Sequence, residues 1–218
     1  MIDLKKTLPR LHLILAGAIA GFVIASVIFA FTGRSVFNRV PEKLPSPAGM
    51  SNAELTEFAF GVLEYIRDND FKELSRIAHP DFGVVFSPFA TVSMSANRRF
   101  SAEQIALFGT DTNVYVWGVY DGTGEPIAMT PSEYFTAFIF PDDYTNAPVI
   151  GVNHIVRSGN ALENMTDEFP GLKFVDFHIP GGDKDYHEDL DWSSLRLGFE
   201  EHGGDLWLTV ILHSTWTV

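Results

Sequence analysis

Asp176 and His178 stand two residues apart in a run, 172–179, that alternates like a strand. Side chains along a strand point alternately to opposite faces, so Leu172, Phe174, Asp176 and His178 share one face. Two-residue spacing sets that carboxylate and imidazole about 7 Å apart along the strand. Such a pair could act as a general base and its orienting partner, each shifting the other's pKa. The opposite face carries Val175, Phe177 and Ile179. If those three form the core, Asp176 and His178 turn to solvent, and a period of two does not choose between the alternatives. His213 is the third candidate for catalysis; alternation places it with Trp207, Thr209, Ile211 and Thr215. A histidine hydrogen-bonded across strands is the structural alternative there, as it is for His154 beside Ile150, Val152 and Val156. Arg196 opposes the Leu195, Leu197 and Phe199 face, placed to clamp an anionic group or to pair with a nearby carboxylate.

The aromatic side chains Tyr115, Trp117, Phe174 and Trp216, with Arg196, are the expected lining of any ligand pocket. The stretch 181–191 holds Asp183, Asp185, Glu188, Asp189 and Asp191, a donor set suited to a hard cation such as Ca²⁺. Its spacing departs from the EF-hand loop and it lacks the interior turn glycine, so it reads as a solvated acidic loop. No metal or cofactor is expected. The chain contains no cysteine, which excludes disulfides, thiol catalysis and Cys-based zinc sites. Nucleophile-elbow, phosphate-loop, His-Glu-x-x-His and dinucleotide signatures are absent.

The elements that must position these residues are marked by helix starts and β-rich runs. Ser51-x-x-Glu54 is a capping box ahead of Leu55, Phe58, Ala59, Val62, Leu63 and Ile66 at helical spacing. Asp70-x-x-Glu73 opens a short second helix closed at His79-Pro80, and Ser101-x-x-Gln104 starts another that stops at Gly109. Thr130-Pro131-x-Glu133 joins an N-cap, a proline at the first helical position and a carboxylate at the third. Strands are expected at 84–92 (interrupted by Pro88, hence an edge or a bulge), 114–120, 149–156, 172–179, 195–200 and 206–217. Asp121–Gly124 is a turn, and His202-Gly203-Gly204-Asp205 makes the last two strands a hairpin. Helices lead and strands close the chain: an α+β architecture with an antiparallel sheet packed on the leading helices.

At the amino end, Leu13–Phe31 is an uncharged apolar run whose length as a helix, about 28 Å, matches the hydrocarbon thickness of a bilayer. It predicts a signal anchor preceded by a cytoplasmic tail (1–12) and followed by a proline-rich stalk (32–50) with Pro41, Pro45 and Pro47. A single α+β domain (51–218) would then lie outside the cell membrane. Gly17, Gly21 and Ala25, four residues apart, would form a small-residue face for a homodimer. Net charge is divided, +4 over residues 1–48 and −17 over the remainder, so nucleic acid is not an expected partner.

In element order the domain resembles the NTF2-like, cystatin-related cone fold, which implies a curved sheet around a long first helix and often an Asp or His at the cone's floor. His79-Pro80 with Phe86-Ser87-Pro88-Phe89, Trp117-Gly118-x-Tyr120-Asp121-Gly122, Asp191-Trp192-x-Ser194-Leu195-Arg196-Leu197 and His213-x-x-Trp216-Thr217 resemble uncharacterised secreted lipoproteins of Gram-positive bacteria. That resemblance implies an envelope location and no activity; the missing lipidated cysteine departs from it. The expectation is a non-catalytic module that binds an envelope protein or a small ligand. The alternative is a small-molecule hydrolase or isomerase of NTF2-like type using the Asp/His pair.

Overall fold

The computed structural model describes residues 44–182 and 190–217. The element order is α1 (Asn52–Arg67), α2 (Phe71–Arg76), β1 (Val84–Ser87), β2 (Arg98–Phe100), α3 (Ala102–Ile105), β3 (Tyr115–Val119), β4 (Pro126–Met129) and α4 (Pro131–Tyr134), which runs on into a π-helical turn, Phe135–Ile139. After a 3₁₀ turn, Tyr144–Asn146, come β5 (Val149–Val152), α5 (Met165–Glu168), β6 (Lys173–Ile179), β7 (Ser193–His202) and β8 (Asp205–Thr215). The helix starts fall where the caps predict. Ser51, Ser101 and Thr130 each accept from the backbone three residues on, while Glu54, Gln104 and Glu133 reach back to the cap amide.

Six strands form one sheet in the order β2-β1-β8-β7-β6-β5, and β3-β4 is a separate two-stranded hairpin. The sheet is mixed, which corrects the expected antiparallel one. β1 joins β8 in parallel, Val85 opposite Val210 and Ser87 opposite Leu212. A strand that enters from the leading helices and joins the last strand of the chain is not bound by the hairpin rule that forces neighbours to alternate direction. The 84–92 run stops at Ser87, because Pro88 lacks the amide the ladder needs, and β1 is interior rather than an edge. The 149–156 run stops at Val152, where Asn153 adopts φ 52° and its amide and side chain both pair with Phe174.

One face of the sheet packs on α1. Leu55, Phe58, Val62 and Ile66 meet Val175, Phe177, Leu195, Leu197 and Phe199 in a single buried cluster, with Phe58 against Phe199 and Phe60 against Phe177 at 5.1 Å between centroids. The β7–β8 register shifts at Gly198/Phe199. Because the shift adds a residue to β8, Leu206 and Leu208 lie in the same core as Ile211, breaking the simple alternation that grouped His213 with Trp207. The second face is covered by the irregular stretch from 153 to 172. Met165, Phe169 and Leu172 close over Val85, Phe174, Val210 and Leu212.

The expected membrane helix, and the extracytoplasmic localisation that followed from it, are corrected. Among the described residues no helix is long and apolar enough to cross a membrane. The longest of the described helices, α1, has 16 residues and is amphipathic, with Glu57 and Arg67 on the side away from the sheet. The Leu13–Phe31 run, the Gly17, Gly21 and Ala25 face, most of the stalk and the carboxylates 183–189 lie outside the described residues.

Candidate functional site

Asp176, His178 and Arg196 share a face, but it is the loop-covered face and not the α1 core, because Val175, Phe177 and Ile179 take the helix side. They are not left in solvent either: Asp176 and Arg196 are fully buried and His178 nearly so. Each is held by a structural partner. Asp176 Oδ2 accepts from the Val156 amide at 2.9 Å and from Arg196 Nε at 3.2 Å. The Arg196 guanidinium forks onto both oxygens of Glu163, Nη2 reaching Oε1 at 3.0 Å, and Nη2 also donates to the Arg157 carbonyl at 3.1 Å. His178 Nδ1 lies 2.9 Å from Ser194 Oγ, one strand away, and burial pushes its pKa down.

The planar fork satisfies four acceptor contacts at once, which lets a guanidinium stay buried. Chemically this is a latch. It fastens residues 156–163 onto β6 and β7 through Asp176 Oδ2, while Asp176 Oδ1 is buried with no hydrogen-bond partner among the described residues. Asp176 and His178 have no hydrogen bond to each other among the described contacts.

His213 lies on the α1 side, away from both. Its Nδ1 donates to the Pro88 carbonyl at 3.3 Å, its ring stands edge-on to Phe138 at 6.2 Å, and burial drives its pKa down to about 4. It is a neutral core histidine at ordinary pH, with Nε2 unpartnered among the described residues.

The expected aromatic lining is dispersed. Trp117 is fully buried, stacked on Tyr134 at 3.8 Å and donating Nε1 to the Met129 carbonyl. Tyr115 packs edge-on to Phe100 at 5.0 Å. Both belong to an aromatic cluster under the β3–β4 hairpin that includes Phe86, Phe108 and Phe135. Phe174 is on the opposite face of the sheet and Trp216 is 38% exposed near the end of the chain. The sheet separates Phe174 from the cluster that holds Tyr115 and Trp117. Among the described residues, no group of three His, Cys, Asp or Glu side chains is placed to hold a metal ion.

The residues missed in the sequence build a cleft of about 630 Å³, a size suited to a small ligand. Three segments wall it: the connection after β1, with Pro88, Phe89 and Asn97; the β3–β4 end, with Gly118, Tyr120 and Asp121; and the covering stretch, with Asn160 and Leu162. The walls are stitched together. Thr91 Oγ1 donates to the Leu162 carbonyl at 2.8 Å, and Asn164 exchanges two bonds with the Val92 backbone at 2.7 and 2.9 Å. Thr217 bridges the other two segments, its hydroxyl reaching Asp121 Oδ2 at 2.5 Å and its amide donating to Asn160 Oδ1 at 3.1 Å. The Arg196 latch anchors the third wall from behind.

Two rings supply the apolar part. Phe89 and Tyr120 each rest on Phe138, at 5.9 and 6.3 Å, which holds them in place without burying Tyr120. Asn97 supplies the polar part. The Ser93 amide donates to its Oδ1 at 2.6 Å, and that assignment turns Nδ2 toward Gly118, where a Cβ on the glycine would lie 3.6 Å from it. The same Cβ would meet Pro88 Cγ at 3.0 Å, so the glycine is what lets these two segments close up. Two strings in the sequence mark the cleft's walls: Phe86-Ser87-Pro88-Phe89 the β1 connection, and Trp117-Gly118-x-Tyr120-Asp121-Gly122 the β3–β4 end.

No family model matches the chain, and no curated protein matches it. Among solved structures, the chain is similar to the crystal structure of a putative calcium/calmodulin dependent protein kinase II association domain from Xanthomonas campestris, at 14% sequence identity. The match covers 81% of this chain and 95% of that chain with a TM-score of 0.32, an overlap too loose to carry an argument about fold or function.

Proposed function

We propose that this domain is a non-catalytic binding module whose ligand seats in the cleft between the β1 connection, the β3–β4 turn and the 160–162 segment. The observation that carries the reading is the stitching of all three walls to one another by the Thr91, Asn164 and Thr217 bonds. A cavity fixed in this way spends little of its binding free energy on ordering its own loops. The reactive side chains support the same reading: Asp176 is engaged by Arg196 and Val156, His178 faces Ser194, and His213 is sealed in the core.

The test is a fragment screen on the ¹⁵N-labelled full-length chain, read by amide chemical shifts. Shifts are expected to gather on Asn97, Gly118, Tyr120, Gly122 and Leu162, and Leu162→Asp, a change at an exposed wall residue, should abolish them. Hits that gather instead around His178 or His213, or turnover of any fragment, would overturn the proposal.

A further inference from the structure

The polarity of the cleft narrows its ligand class. We infer that it takes an uncharged, polyhydroxylated ring, a neutral saccharide; this rests on the cleft being the binding site as read above. Among the described residues no Lys, Arg or His lines it, so an anionic ligand would lose its hydration with no opposite charge to replace it. Among the described lining residues the one charged group is Asp121; it is solvent-exposed, where water screens an ion pair, so a cation gains little there over a hydroxyl. An uncharged ligand remains.

The polar side chains on its walls are mixed in kind: the Asn97 Nδ2 donates only, while the Asp121 carboxylate accepts. A hydroxyl can donate and accept, so a ring bearing several hydroxyls satisfies both kinds from one scaffold. Its C–H face supplies apolar surface for Tyr120, a residue 38% exposed and backed by Phe138. Phe89 and Tyr120 meet Phe138 at 90° and 45°, so they stand as two separate supports rather than as a facing pair. A flat nucleobase gains most from being sandwiched, whereas a pyranose needs one ring on one side. Gly122 and Gly124, at φ 76° and 70°, take the left-handed positions that the turn beside Asp121 requires.

The test is saturation-transfer NMR on the full-length chain with maltose, cellobiose, lactose and N,N′-diacetylchitobiose. Adenosine, trialanine amide and glucuronate serve as comparators. At least one of the neutral sugars should receive saturation, and none of the comparators should match it. Tyr120→Ala should weaken that sugar about 10-fold or more, the scale of losing one aromatic contact. Asn97→Asp keeps the acceptor for the Ser93 amide but replaces the donor, and should weaken it to a similar extent. Circular dichroism of both variants should match the parent, since neither residue is in the core.

If adenosine or the peptide binds and no sugar does, the ligand class is overturned while the cleft stands as a binding site. The same holds if fragments map to the cleft and every sugar is silent. A sugar that binds the parent and both variants equally also overturns it. If no fragment maps to the cleft, the binding-site reading itself fails.

Discussion

The two faces of the six-stranded sheet are both buried, but by different physics. On the α1 side, leucines, valines and phenylalanines interdigitate with a long capped helix, and the sheet's contribution between Val175 and Leu208 is apolar. On the other side the described residues hold no helix longer than four residues, and the cover is an irregular stretch held by Arg196, Glu163, Asp176 and a set of backbone bonds. The first face needs only shape and apolar area. The second needs its cation placed correctly between the two carboxylates, because a buried charge left without its counter-charge is costly. That difference separates the part of the molecule that makes it fold from the part that builds a cleft wall.

The sharpest way to break the comparison is to remove the charge. Arg196→Met leaves Glu163 and Asp176 facing each other without their cation, and should cost about 3–5 kcal/mol in a denaturant titration. Leu197→Ala, the neighbouring residue on the α1 face, should cost about 2–5 kcal/mol by cavity formation. The distinguishing readout is hydrogen exchange. Leu197→Ala should raise exchange throughout the sheet, whereas Glu163→Gln should raise it first in residues 153–164. Uniform exchange in both variants would show the two faces to be one cooperative unit.

Acid offers the next largest effect. His213 has its folded pKa depressed to about 4 by burial, against 6.5 in its ordinary state. Between those values the unfolded chain takes up the proton and the folded one does not, so stability falls as pH drops from about 6.5 to about 4. Above that window both states are neutral and the full contribution is present. The loss attributable to this residue should be roughly 2–4 kcal/mol across the window. His178 and His79, both lowered chiefly by burial, act in the same direction. His213→Gln should flatten the midpoint-against-pH curve over that range; an unchanged slope would remove the assignment.

Smaller effects test the fit of the cover. Gly198 faces the loop side, and a Cβ there would meet Val210 Cγ1 at 2.4 Å and Leu172 Cδ2 at 2.6 Å. Gly198→Ala should therefore cost about 1–3 kcal/mol through overpacking, measured as a shift in the denaturation midpoint. Thr91→Val removes only the bond to the Leu162 carbonyl, for about 1 kcal/mol, and should increase exchange at 160–162 with little effect on the α1 core. A larger global loss from Thr91→Val than from Gly198→Ala would contradict the view that these stitches are local.

The sequence by itself determined the local punctuation: the boxes at Ser51, Ser101 and Thr130, the 202–205 hairpin and the alternation of β6. Each is a statement about a few neighbouring residues, where steric limits and hydrogen-bond geometry act directly. It also singled out Asp176, His178 and Arg196; the structure buries all three and pairs Asp176 with Arg196 and His178 with Ser194. Only the tertiary structure could decide which face of β6 meets the helix, that β1 lies parallel to β8, and that the 153–172 stretch folds back over the other face. A two-residue period is symmetric under exchange of faces, and an irregular covering segment has no period at all. The cleft was hidden for the same reason. Its walls come from Pro88, Tyr120 and Leu162, dozens of residues apart in the chain, and their meeting depends on strand order that no local pattern encodes.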